Sequence, residues 1–250
     1  MDHSWTQEID YLNKGMERLQ TALRKLKEYA STVIFLLGTT DLRPDFSEDI
    51  CSALDVVQLT ERVDEVYGSG LFEGKGYSMI SWGPGSGVGG IRGFAEELEL
   101  QKRNMFPQSM MRLNSQHPEP INPVYSGILF YKTFEEKLKK SNSQKKIVVS
   151  HMPPYMGNDI DQLSNPRTTN KRLDKVILSA IRDVNYSKPT HVGDIFFRMA
   201  LNKNSNRGIL NFIHSVYFGH IEEGKGESCL NHTYMRNLGS FDEDLFVVEL

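Results

Sequence analysis

Short β-branched apolar runs, each stopped by a turn, constrain this chain more than any other feature. They are Thr32 to Leu37 (TVIFLL), Lys146 to Ser150 (KIVVS) and Val216 to Phe218 (VYF). Each is too short for a core helix, and none alternates apolar with polar residues as a strand with one wet face does. Such runs are strands covered on both faces, and the covering elements are helices. Between residues 7 and 30, Ile9, Leu12, Met16, Leu19, Leu23 and Leu26 recur at spacings of three and four, the apolar stripe of one helix. Ser4 or Thr6 is placed to cap it, with Gln7 or Glu8 in the first turn. A helix feeding a buried strand that stops at Gly38 predicts α/β architecture, in which sites collect where strands end.

The same reading continues along the chain. Residues 56–59 (VVQL) and 77–82 (YSMISW) predict further short strands, the second running into GPGSGVGG at 83–90. That loop lacks the Gly-Lys-Ser/Thr ending of a nucleotide phosphate loop and reads as a flexible loop beside a strand end. From 91 to 127 methionines, prolines and polar residues follow no clean period. An irregular insertion over about 90–130 is expected there, inside a single domain spanning 1–250. Phe134 to Lys140 predicts a helix ahead of the strand at 146. Leu173, Val176, Ile177, Ala180, Ile181 and Val184 have the spacing of a long one. Further helices are expected to open at 194 and to lie near 208–214, with closing strands at Thr233–Asn237 and Leu245–Leu250.

Composition narrows the function classes. A net charge of −3 gives no general pull toward nucleic acid or anionic lipid. The basic stretch KLKKSNSQKK at 137–146 reads as a solvated helix end rather than a nucleic-acid patch. No apolar run approaches the roughly 20 residues that span a bilayer, and MDHSWTQEID has neither the basic start nor the apolar core of a secretory signal. The expectation is a cytoplasmic protein without a membrane partner. Cys51 and Cys229 alone make neither a disulfide framework nor a thiolate zinc motif.

The chemistry-bearing signal is a pair of histidines at strand ends, His151 after KIVVS and His220 after VYFG. A single strand-end histidine is more often a hydrogen-bonded structural residue. Two in equivalent places point equally to a metal site, since imidazole suits zinc, iron and related ions. His191, before the helix expected at 194, reads as a packing residue, and Asp159 and Asp161 as turn and capping residues.

SHMPPYMGNDID at 150–161, THVGD at 190–194, FGHIEEGKG at 218–226 and NLGSFDEDLFVVEL at 237–250 together resemble the calcineurin-like metallophosphoesterases. The likeness is to the branch with a His-Pro-Pro turn and a Gly-His-Ile-His-Glu-Gly turn; it covers 147–250 well and 32–41 loosely. It implies a sandwich of two mixed β-sheets flanked by helices and a dinuclear site that hydrolyses phosphoesters. By resemblance His151 and His220 are metal ligands, Asp2 in MDHSW a bridging carboxylate, and Asp41, Asp161 and His191 substrate-side residues.

The departures from the family pattern all weaken that chemistry. Where the family has Gly-Asn-His-Asp, this chain reads Gly38-Thr39-Thr40-Asp41, removing an amide ligand and the histidine that assists the leaving group. Glu222 stands where the second histidine of Gly-His-Ile-His belongs, and no Asp-x-His occurs in the sequence. The resemblance puts that motif, on a first strand, upstream of Asp2. What is expected is at most one divalent transition metal (Mn, Fe or Zn), or none, on His151, His220 and Asp2, with Glu222 a weaker ligand. The protein is then a weak or inactive hydrolase acting as a binding or scaffold module, with an active phosphodiesterase or phosphatase as the alternative. Its partner is a phosphoester small molecule or a protein, and the vacancy left by the missing first strand is expected to be filled by a second copy of the chain in a homodimer, by a partner's strand, or by rearrangement of the 90–130 insertion.

Overall fold

A computed structural model of the chain describes residues 3–36, 44–63, 66–82, 123–156, 175–176, 190–191, 193–219 and 224–239. The chain begins with α1 (His3–Tyr29), β1 (Ile34–Phe35), α2 (Pro44–Ala53) and β2 (Val57–Gln58). From Met16 to Leu26 the expected helical stripe faces a small core. Leu23 of α1 is buried with Val33, Ile50, Cys51 and Val56, and Met16, Leu19 and Leu26 pack against them. β1 and β2 pair in parallel, with Ile34 opposite Val57 and Phe35 opposite Gln58. The run from Thr32 was expected to be a strand buried on both faces. Among the described residues it is instead a two-residue strand, half-buried, with β2 as its one strand neighbour. The small cluster around Leu23 covers it without enclosing it.

Two hairpins follow, of which the sequence predicts only the strand at 77–82. β3 (Thr60–Val63) pairs with β4 (Val66–Ser69), and β5 (Leu71–Glu73) with β6 (Ser78–Ser81). Gly70 joins them against the β2–β3 junction, where a Cβ would lie 2.7 Å from the Leu59 carbonyl carbon. Only glycine lets the backbones approach so closely.

The main sheet has six strands, completed by β7 (Lys146–Ser150), β10 (Ile213–Phe218), β11 (Gly226–Leu230) and β12 (Thr233–Asn237). Its order is β11-β12-β10-β7-β6-β5, and the inner four strands are parallel. β5 and β11 pair antiparallel with β6 and β12, so the sheet is mixed. α3 (Pro123–Lys140) joins β6 to β7, and α4 (Ile195–Asn204) precedes β10. Because β6, β7 and β10 step across the sheet in one direction, right-handed crossovers put both helices on one face. There the Trp82 ring stacks on Phe197 at 4.9 Å and meets the edge of Phe134 at 5.2 Å. Glu135 of α3, almost wholly buried, accepts from Lys203 Nζ at 2.6 Å and Asn204 Nδ2 at 2.8 Å of α4.

Strands at 146–150 and 233–237 and a helix opening after Asp194 match the sequence reading. Three elements differ from it. α3 begins at Pro123 rather than Phe134, taking over the end of the stretch expected to be irregular. Proline suits the first turn of a helix, while Gly127 inside it had masked the period. Lys175–Val176, expected within a long helix, is a strand (β8) paired antiparallel with β9 (Thr190–His191). β-Branched residues such as Val176 serve either period over so short a run. The helix expected near 208–214 is a turn, with Gly208 at φ +92°, leading into β10 at Ile213. The glycine-rich 83–90, most of the insertion and the strand at 245–250 lie outside the described residues. Among the described residues no helix is long and apolar enough to cross a membrane.

Candidate functional site

The carboxyl ends of the four parallel strands lie side by side. Ser81 is opposite Val149, Phe218 opposite both Ser150 and Asn237. The residues that leave these strands are Trp82, His151, Gly219 and Leu238, and they form one row along the sheet edge where α/β proteins bind their ligands. His151, half-buried, stands at the end of β7, with the end of β10 beside it. A Cβ on Gly219 would lie a tight 3.2 Å from the Gly239 carbonyl oxygen.

The turn carrying His151 is held from below. Ser150 Oγ donates to the Met152 carbonyl at 2.7 Å, closing the turn on itself. The backbone of 153–155 then runs against the entry to α4. Asp194 N–H donates to the Pro153 carbonyl at 2.8 Å, and Tyr155 N–H to the Asp194 carbonyl at 3.0 Å. Gly193 permits this contact, because a Cβ there would sit 2.3 Å from the Pro154 oxygen. The two segments SHMPPY and HVGD, far apart in sequence, are therefore one structural unit.

Asp194 anchors that unit. It is 2 % exposed and caps α4, with Oδ1 accepting the Phe197 N–H at 3.0 Å. Oδ2 accepts from the Trp82 indole Nε1 at 3.0 Å. Burial pushes its carboxyl above the usual range, against the pull of N–H donors from Phe197, Trp82 and Phe196 that favour the anion. One turn on, the fully buried Arg198 donates from Nη1 to the Tyr155 carbonyl at 3.1 Å, and from Nε to Asn202 Oδ1 at 2.8 Å. Its Nη1 also lies 3.5 Å from the Met156 sulfur.

The sequence had marked THVGD for its histidine. The buried Asp194 and Arg198 beneath the turn are the residues it missed. An aspartate directly before an apolar helical run is a capping signal that identifies the first of them. Nothing in the local sequence marks Arg198 as buried.

Of the residues expected to carry chemistry, His151 is at the rim of this unit, and His191 lies in β9 opposite Lys175. His220, Glu222, Asp2, Asp41 and Asp161 lie outside the described residues. Among the described residues no group of three His, Cys, Asp or Glu side chains is arranged to hold a metal ion. The described part of the site thus contributes one imidazole, enough for a ligand or a base and too little for a zinc site, which takes three or four protein ligands. Comparison of the chain with protein-family models, curated proteins and solved structures finds no match.

Proposed function

We propose that this protein is a binding or scaffold module on a metallophosphoesterase-type sandwich of two mixed sheets, with its metal site reduced from two ions to at most one. The observation that supports the site is the register of β7 and β10. Ser150 opposite Phe218 brings the His151 strand end beside the strand that leads through Gly219 to His220. In this reading His151 and His220 hold the ion with Asp2, and Glu222 lies at its margin. A divalent transition metal bound there supplies positive charge for a phosphoester oxygen and acidity for a coordinated water. The chain's own part is orientation: Ser150, Gly193 and Asp194 fix the turn that carries His151.

The reduced chemistry follows from the sequence. Thr39 and Thr40 replace an amide ligand and an acid–base histidine, and Glu222 replaces an imidazole. One ion without its neighbour loses much of the clamp on a transferring phosphoryl group. The ligand is a phosphoester small molecule or a protein partner, including a second copy of the chain. The alternative, an active metal-dependent phosphodiesterase or phosphatase using His151 and His220, draws on the buried Asp194 and Arg198, which hold the turn that carries His151.

Metal analysis after dialysis, paired with an assay on bis-p-nitrophenyl phosphate with added manganese, separates the two. At most one equivalent of metal and little or no hydrolysis are expected. Two bound equivalents, or turnover abolished by both His151→Ala and His220→Ala, would replace the scaffold with the enzyme.

A further inference from the structure

The edge of the main sheet opposite His151 is built from the residues that enter its parallel strands. Ser78 of β6, Lys146 of β7 and Ile213 of β10 are register partners there, and Thr233 of β12 donates from Oγ1 to the Ile213 carbonyl at 2.6 Å. α3 ends at the same edge, since Ser141 Oγ, directly after Lys140, donates to Ser78 Oγ at 2.7 Å. So does α4, since the Ser205 carbonyl that follows it accepts the His232 N–H at 3.1 Å. Adjacent strands lie about 4.8 Å apart, so the four strand starts span roughly 15 Å. Between α4 and β10, residues 206–210 are all exposed, with Leu210 at 91 % and Ile209 at 38 %. Cations flank this aliphatic tip. Arg207 is exposed within it, Lys139 and Lys140 are exposed in the last turn of α3, and the half-buried Lys145 directly precedes β7. None of the four has an ion-pair partner among the described residues. Of the carboxylates nearby, Glu73 accepts from Ser78 Oγ at 2.6 Å and from the Asn142 N–H at 3.1 Å, and Glu135 holds Lys203. Glu136, also exposed, lies one turn back along α3 from Lys140.

We propose that this edge docks on a lipid surface of net negative charge, with Ile209 and Leu210 entering the headgroup layer and Lys139, Lys140, Lys145 and Arg207 meeting the anionic lipids. An apolar insertion beside a cationic patch is the pairing of signals that holds a protein at such a surface, where either signal alone is weak. The same features disfavour other occupants. A second copy of the chain would bring like charges together. A single-stranded nucleic acid would stack its bases on aromatic rings, whereas the exposed apolar side chains of this turn are aliphatic. The net charge of −3 does not oppose the contact, because only charges within about 10 Å of the lipid act strongly on it. The contact is peripheral and needs no membrane-crossing helix. It is separate from the proposed metal site, which lies at the carboxyl ends of the same strands.

Flotation of the full chain with phosphatidylcholine vesicles, with and without phosphatidylserine, tests this. Binding to the phosphatidylserine vesicles alone is expected, and it weakens as salt rises. Lys140→Gln, Lys145→Gln and Arg207→Gln each weaken it about fivefold, as removal of one cation near an anionic surface does. Leu210→Ser weakens it at least as much. Tyr29→Ser, at an apolar position 87 % exposed on the end of α1, leaves it unchanged. The circular dichroism of each variant matches the parent. No binding, or equal binding to both kinds of vesicle, overturns the proposal. So does binding that Leu210→Ser leaves intact, because the apolar tip is then outside the lipid. Retention by polyglutamate or a single-stranded oligonucleotide without vesicle binding also overturns it, and marks a surface for an acidic protein or a nucleic acid instead.

Discussion

The indole of Trp82, the residue directly after β6, donates a 3.0 Å hydrogen bond to Oδ2 of Asp194, the N-cap of α4. The two residues are 112 positions apart, and the bond fastens the edge of the main sheet to the helix that supports the His151 turn. Both residues are buried, so the bond is made out of contact with water. Trp82→Phe keeps most of the ring contacts with Phe134 and Phe197 but leaves Oδ2 one donor short. A loss of about 1–3 kcal/mol in urea unfolding is expected. Asp194→Asn is expected to cost a similar amount, since its amide has one acceptor oxygen for the three N–H donors, from Phe197, Phe196 and Trp82, that now face a carboxyl group. A Trp82→Phe protein as stable as the parent would show that the bond carries no net energy.

The buried carboxyl also gives a pH dependence. Its folded pKa is raised above its unfolded value near 3.8, mainly by burial. Between those two values the folded state binds the proton more tightly than the unfolded state. The contribution of Asp194 to stability is therefore fully present below the unfolded pKa and is lost as pH rises through the folded one. Asp194→Asn does not titrate, so the gap between parent and variant is expected to be widest in acid and to narrow toward neutral pH. Denaturation of both proteins across that range checks it, and a gap that widens with pH would reverse the sign.

Much of the sheet was legible because its central strands are short and β-branched. Ile147, Val148 and Val216 are buried, as runs without a polar alternation require. Between Thr60 and Ser81 the strand β6 was legible in YSMISW, but its partner β5 and the β3–β4 hairpin were not. Ser69 and Ser78 are buried in sheet positions that local hydropathy marks as surface. At Lys175–Val176 the helical stripe misled for the opposite reason, since a helical period over β-branched residues does not exclude a strand, and the rest of that stripe lies outside the described residues. At the site, motif spacing found the His151 turn and its neighbour HVGD. Their contact through Gly193 is a property of the fold, invisible in either segment alone.

Gly193 is the most sensitive backbone position in that contact. An alanine Cβ would meet Pro154 oxygen at 2.3 Å and Tyr155 nitrogen at 2.5 Å, both backbone atoms that cannot swing aside. Gly193→Ala is expected to cost about 3 kcal/mol or more, the upper range for overpacking, and to shift the His151 ring resonances. Gly208→Ala is the control. Its φ of +92° disfavours a side chain but nothing lies within 4 Å of the new atom, so about 1–2 kcal/mol is expected, with His151 unmoved. Equal costs at the two glycines would mean that the turn and α4 separate readily.

Two serines facing the same junction between hairpins predict opposite outcomes for one substitution. Ser81 Oγ accepts the Gly70 N–H at 2.8 Å, and both residues are buried. Ser81→Ala leaves that N–H without an acceptor in a buried junction between the hairpins. A loss of about 1–3 kcal/mol is expected from the stranded donor. Ser69 is also fully buried, but its Oγ has no partner, like the Thr60 Oγ1 of its register neighbour across the hairpin. The backbone N–H of Ser69 bonds Thr133 Oγ1 at 3.2 Å, and that bond does not involve the serine hydroxyl. Ser69→Ala therefore removes a dehydrated hydroxyl that gains nothing from the fold. It is expected to be neutral or stabilising by up to about 1 kcal/mol. Chemical denaturation of the two single variants decides the matter. If Ser69→Ala costs as much as Ser81→Ala, the Ser69 hydroxyl has a bound water as its partner and the pocket between Thr60 and Ser69 is hydrated.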